Sequence, residues 1–364
     1  MCKFFHLLFA LAMFIICLSC SSQDEDVVDN NAPASELYFP PINTTEWETI
    51  SLASLGWNER ALQPLYDFLE ERGSQAFIIL KDGKIAVEAY FNGGSISQRY
   101  PWFSAGKTLS AFAMGIAQQE GFLSLNDASA DYLGNGWSSL TAEQEKEIKI
   151  WHHLTMTTGV NYNVADTNCT SPECLTFLNM PGSFWFYHNA TYTLTQQIIQ
   201  NATDQDFASY YNSKIRNPIG MDGVWISSNF NSIYVSTARS MARFGLLNLN
   251  KGNWDRIKIL KDTQYFEEMT TTSQSLNKAY GYLWWINGAV DYRVPGSTLL
   301  FQGDLIPTAP KDLIAGLGAN DQKLYVVPSQ KLVIVRLGDD GGETLLGPSG
   351  FDTLLWEKIN DLIN

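Results

Sequence analysis

Leu62, Leu65, Phe68 and Leu69 recur at steps of three and four with acidic residues elsewhere, which predicts an amphipathic helix capped by Asn58 and ended near Gly73. The period then changes. Ala76-Phe77-Ile78-Ile79-Leu80 and Ile85-Ala86-Val87-Glu88-Ala89-Tyr90-Phe91 flank Lys81-Asp82-Gly83-Lys84, and Asp-Gly between two β-rich runs predicts a tight hairpin. Leu109, Phe112, Ala113, Ile116 and Ala117 return to helical spacing, with Gly121 as the stop. From there to about residue 270 the pattern is mainly helical, with long irregular connections. Strand-like runs reappear at 282–286, 324–327 and 332–337, the last two separated by Pro328-Ser329-Gln330, and a helix over 351–363 closes the chain. Strands at both ends with helices between predict an α/β (α+β) domain over 46–364. It has one antiparallel sheet formed by both chain ends, flanking helices, and an all-helical lobe inserted at about 120–270, with a cleft between the two.

The N-terminus follows neither period. After Met1-Cys2-Lys3 comes an apolar run broken only by His6, ending in Leu18-Ser19-Cys20, too short for a comfortable membrane span. This resembles a bacterial lipoprotein signal. The resemblance implies a signal peptide over 1–19, lipid on Cys20, and attachment of the mature chain to a membrane of the cell envelope. Residues 20–45 are polar, with Asp-Glu-Asp, Asn-Asn and Pro-Pro, and read as a flexible tether.

Charge and cysteine usage narrow the functions. The 364 residues carry a formal net charge of -14, and no Lys/Arg cluster is interleaved with aromatics, so nucleic acid is excluded as a partner. Of five cysteines, Cys2 and Cys17 leave with the signal and Cys20 is the lipidation candidate, which leaves Cys169 and Cys174. Five residues apart in a turn-rich loop of an exported chain, they predict a local disulfide. The doublet His152-His153 has no metal-ligand spacing, and neither a metal nor an organic cofactor is expected.

The chemistry candidate is Trp102-Phe103-Ser104-Ala105-Gly106-Lys107, a Ser-x-x-Lys at a helix start that puts an amine on the same face as a hydroxyl. Ser275-Leu276-Asn277-Lys278 has the same spacing in a polar stretch, so context must separate the two. Tyr187-His188-Asn189 supplies a second element on an irregular stretch just before a helix. Tyr90-Phe91-Asn92 and Tyr210-Tyr211-Asn212 repeat the triplet without that setting.

Together with Trp151-His152-His153-Leu154-Thr155-Met156-Thr157-Thr158-Gly159, with Ser236-Thr237-Ala238-Arg239-Ser240-Met241-Ala242-Arg243-Phe244-Gly245 and with Tyr280-Gly281-Tyr282-Leu283-Trp284-Trp285, these segments are similar in order and content to the β-lactamase-related serine hydrolases. That family comprises class C β-lactamases, D-alanyl-D-alanine peptidases and esterase or amidase relatives. The resemblance implies a β-lactamase/transpeptidase-like fold and an acyl-enzyme on Ser104. It also implies Tyr187 as general base and then acid, with Lys107 lowering its proton affinity, and Asn189 bridging Lys107 and substrate. The family's third motif, Lys-Thr-Gly or His-x-Gly, is best matched by Gly316-Leu317-Gly318, which lacks the cation. Backbone N–H groups of Ser104 and Ala319 would form the oxyanion hole. Without the cation, a small ester or amide is favoured as substrate. A cell-wall peptide or β-lactam, or a non-catalytic surface-binding role, stand as the alternatives. Trp102, Trp185, Phe186, Trp284 and Trp285 are candidates for pocket lining or core, with core favoured for Trp284.

Overall fold

Asp82 and Gly83 both take positive φ, 52° and 84°, the backbone a two-residue turn needs to match strand twist. They join β1 (Ser74–Lys81) to β2 (Lys84–Tyr90). Trp47 Nε1 donates to Gly83 O at 2.8 Å, and a Cβ on Gly83 would lie 1.9 Å from Tyr38 O. Gly83→Ala is therefore expected to lower the unfolding free energy by roughly 1–3 kcal/mol, read as a lower urea midpoint at constant slope. An unmoved midpoint would contradict the packing of residues 38–47 over this turn.

The computed structural model describes residues 36–342, 348 and 350–364. The expected signal peptide 1–19, Cys20 and the first part of the tether lie outside the described residues. Residues 36–45, read from sequence as tether, are instead docked on the domain. Tyr38 N donates to Asp82 O at 2.9 Å, and the buried Arg243 donates to the carbonyls of Pro40 and Pro41 at 3.3 and 2.8 Å.

The C-terminal part of the chain supplies β3 (Trp285–Ile286), β4 (Ile314–Gly318), β5 (Gln322–Val327) and β6 (Leu332–Gly338). The sheet runs β2-β1-β6-β5-β4-β3, antiparallel throughout, so the two chain ends meet where Ile78 pairs with Val335. The 282–286 strand is shorter than its sequence predicts because Leu283 sits at φ 60°, where its N–H reaches Leu154 O at 3.0 Å in the inserted lobe.

Among the described residues five helices have ten or more residues: α1 (Leu62–Glu71), α2 (Lys107–Gln119), α3 (Asn189–Thr203), α4 (Ala238–Leu249) and α5 (Gly350–Ile363). Adjacent residues of β5 point to opposite faces. A Cβ on Gly245 of α4 would lie 2.9 Å from Leu324 Cδ1, whereas the Tyr325 ring packs edge-on against Trp356 of α5 at 5.6 Å. Hence α4 and α5 cover opposite faces, which is why β5 is buried along its whole length.

Residues 120–270, expected to be all-helical, also hold a hairpin of Val224–Ser228 and Asn231–Ser236, whose second strand pairs with Tyr100–Pro101. Its β-branched run Ile233, Val235 opposite Ile226, Val224 explains the strand conformation. Pairing with Tyr100–Pro101 fixes the chain immediately ahead of Ser104.

Candidate active site

Three elements bring the candidate residues together. The first is a 3-10 turn, Phe103–Gly106, that leads into α2 and carries Ser104. Its approach is anchored by Trp102, fully buried, whose N–H donates to Tyr234 O at 2.9 Å and whose Nε1 donates to Ser236 Oγ at 2.8 Å. Phe103, between anchor and serine, is held at φ 46°, a conformation that non-glycine residues adopt only when the surroundings enforce it.

The second element is the start of α3. Lys107 Nζ lies 3.1 Å from Ser104 Oγ and donates to Asn189 Oδ1 at 3.0 Å. It also sits 5.0 Å from the ring centroid of Tyr187 and 4.3 Å from that of Tyr192. Tyr192 escaped the sequence reading, although its place three residues after Asn189 puts it on the same helix face. Lys107 is 4% exposed, and this desolvation brings its amine down to about 7. Burial also raises the phenol of Tyr187, opposed only in part by its hydrogen bond with Ser104. The net shift of Tyr187 is thus upward and set by burial, whereas the resemblance implies a lowering by a Lys107 ammonium. In a dry pocket both groups favour their neutral forms.

The third element is β4. A Cβ on Gly316 would lie 3.3 Å from Thr108 Cγ2 and 3.4 Å from Ala105 O. One on Gly318 would lie 2.3 Å from Trp102 O and 3.2 Å from Ala105 N. Gly316 and Gly318 therefore lie flush against the turn that carries Ser104, with the intervening Leu317 buried. The following residues Asn320 and Asp321 take φ 56° and 54°, and the fully buried Arg336 donates to their carbonyls at 3.0 and 3.1 Å. This guanidinium, which sequence reasoning did not single out, clamps the turn that follows Ala319.

Around the site, the tryptophans are core. Trp102, Trp185, Trp284 and Trp285 are all at most 2% exposed. Trp185 packs edge-on against Tyr280 at 5.5 Å, and Trp285 stacks on Tyr187 at 5.9 Å, so these rings hold the phenol in place. Phe186 is half-buried and stacks on Tyr162 at 4.0 Å. His153 is fully buried, with Nδ1 at 2.7 Å from Thr191 O and Nε2 at 2.9 Å from Ser129 Oγ. Its pKa is pushed down to about 4 by burial, as befits a neutral structural imidazole fastening α3. The second Ser-x-x-Lys is committed elsewhere: Lys278 pairs with Asp291 at 2.6 Å. Cys169 and Cys174 form the expected disulfide. Among the described residues no cluster of metal-ligating side chains occurs.

Comparison with known proteins agrees with this fold. The chain resembles solved structures across most of its length. A candidate 6-aminohexanoate-dimer hydrolase from Bacillus anthracis superposes with a TM-score of 0.66 at 19% identity, over 90% of this chain and 89% of that one. A candidate β-lactamase from Bacteroides dorei gives 0.67 at 15% identity, over 85% and 99%. A penicillin-binding protein from Bacillus halodurans gives 0.58 at 14%, over 81% and 99%. No curated protein matches the sequence. The Beta-lactamase family model, however, matches residues 67–344, spanning all three elements of the site, and the chain belongs to the Beta-lactamase family, whose members are serine hydrolases.

Proposed function

We propose that the protein hydrolyses a small ester or amide through an acyl-enzyme on Ser104. The observation that carries the reading is the buried contact of Lys107 Nζ with Ser104 Oγ, 3.1 Å, by an amine brought down to about 7. Ser104 Oγ attacks the substrate carbonyl while its proton passes to the Lys107 amine. The ammonium so formed is held by Asn189 Oδ1 and by the faces of Tyr187 and Tyr192. Backbone N–H groups of Ser104 and Ala319 receive the oxyanion. Tyr187, protonated, gives its proton to the leaving group as the carbon–leaving-group bond breaks, and Lys107 returns one to Tyr187. Water then attacks the acyl carbon, its proton is relayed back to Ser104 Oγ, and the acid departs.

Gly316 supports this substrate class. Where the family motif carries a cation this strand carries glycine, with no side chain to grip a carboxylate. A substrate gripped by its carboxylate, such as a β-lactam or a peptide C-terminus, is therefore disfavoured. The half-buried stack of Phe186 on Tyr162, one residue from Tyr187, supports an apolar acyl or leaving group.

Short-chain nitrophenyl esters, linear and cyclic amides, fluorescent penicillin and peptidoglycan stems would be compared side by side. Turnover of an ester or amide by wild type, absent in Ser104→Ala, is the expected outcome. A stable penicillin adduct without ester turnover would replace this reading by a penicillin-binding one. Folded protein inert towards all of them would leave a binding role. The same proposal places the protein at the cell envelope, held by lipid on Cys20; metabolic labelling with a palmitate analogue, lost in Cys20→Ala, checks this.

A further inference from the structure

Asn189 is reached from its other side by a loop far from it in sequence. Asn189 Nδ2 donates to Asn168 Oδ1 at 3.0 Å. Asn168 in turn donates to Asp166 Oδ1 twice, from its backbone N–H at 2.8 Å and from Nδ2 at 2.9 Å. Ala190 N donates to Thr167 O at 2.9 Å, which joins this loop to the first turn of α3, and the Cys169–Cys174 disulfide closes it immediately beyond Asn168.

We propose that Asp166 and Asn168 are positioning residues that set the direction of the hydrogen-bond chain Asp166–Asn168–Asn189–Lys107–Ser104, and with it the readiness of Lys107 to take the Ser104 proton. This rests on the serine-hydrolase reading above. An amide can present either oxygen or nitrogen to a neighbour, but an ionised carboxylate only accepts. Asp166 therefore commits Asn168 Nδ2 to itself and leaves Asn168 Oδ1 facing Asn189. That oxygen commits Asn189 Nδ2, so Asn189 Oδ1 faces Lys107. Lys107 must then donate to Asn189, and a neutral amine so engaged keeps its lone pair for Ser104 Oγ, 3.1 Å away. Were Asn189 to turn over, its Nδ2 would either face an ammonium, donor against donor, or compete with Ser104 for the lone pair. Asp166 is exposed and its carboxyl is held below the usual range by its hydrogen bonds from Asn168, so it is ionised wherever the enzyme is expected to act. The groups around Lys107 Nζ are Ser104, Asn189 and the rings of Tyr187 and Tyr192.

The test is the rate of fluorophosphonate acylation of the full chain as a function of pH, in wild type, Asn168→Leu, Asn168→Asp and Asp166→Ala, with thermal unfolding of each. Asn168→Leu removes the fixed acceptor, so acylation should slow roughly tenfold. Its acid limb should move to lower pH, because the ammonium loses an oriented partner. Asn168→Asp keeps an acceptor for Asn189 and adds a negative charge. It should recover most of the rate, and its acid limb should move to higher pH. Asp166→Ala, at an exposed position, should slow acylation in the same sense as Asn168→Leu. Equal rates and unmoved limbs in the two Asn168 variants would overturn the relay, since loop disruption alone gives no opposed shifts. The wild-type arm separates the claims: wild type that does not label refutes the serine reading, whereas labelling wild type with unaltered variants refutes the relay alone.

Discussion

Lys107→Met will cut the turnover of an activated ester by roughly 10²–10⁴-fold, the range lost with a positioned general base, and will make the protein more stable. Both effects have one origin. Burial brings the folded Lys107 down to about 7 from the ordinary 10.5, so the unfolded chain holds that proton more tightly than the native state does. Between these two values the unfolded state binds more protons, and stability rises with pH across that window. Below about pH 7 the amine is charged in both states, and its desolvation penalty falls fully on the fold. Methionine fills the space without charge, so Lys107→Met should gain on the order of 1–3 kcal/mol at pH 6, with a smaller gain at pH 9. In wild type, the same ionisation gives an acid limb in the kcat/KM profile centred near 7. A flat profile between pH 6 and 9, or a variant that loses less than tenfold in turnover, would contradict the assignment of the proton to Lys107.

Gly318→Ala is expected to have the second largest effect, a loss of roughly 10²–10³-fold in kcat, as when one oxyanion donor is removed. The new Cβ would meet Trp102 O at 2.3 Å. Trp102 cannot retreat, because its N–H and Nε1 are both committed at 2.9 and 2.8 Å. Strand β4 must therefore move away from the turn, taking the Ala319 N–H out of line with that of Ser104. Stability should fall by about 1–3 kcal/mol as the interface overpacks. Gly316→Ala is the matched control. Its Cβ meets atoms only at 3.3–3.4 Å, so its effect on both readings should be small. Equal effects from the two substitutions would mean that the approach of β4 does not shape the oxyanion site.

The parts of this molecule that were legible in the sequence are those encoded within a few residues. Asp82-Gly83 announced a turn because both positions need positive φ, and the structure has them at 52° and 84°. Ser104 and Lys107 were legible as a pair because three residues of helix bring them to one face. Leu283 was misread as strand because its conformation is imposed by Leu154, more than a hundred residues earlier. The hairpin over Val224–Ser228 and Asn231–Ser236 was missed within a helical background because its pairing partner precedes Ser104. Proton affinities were the least legible. An ammonium beside a phenol lowers the phenol in water, but the burial that reverses this at Lys107 and Tyr187 exists only after packing. Asn168 acquires its place only through a contact spanning 21 residues.

The most direct measurement of the central claim is intact mass and peptide mapping of the full chain after incubation with a fluorophosphonate. A single adduct on the peptide that carries Ser104, absent in Ser104→Ala and slowed by Lys107→Met, is the predicted result. An adduct on any other residue, or none on folded wild-type protein, would contradict it.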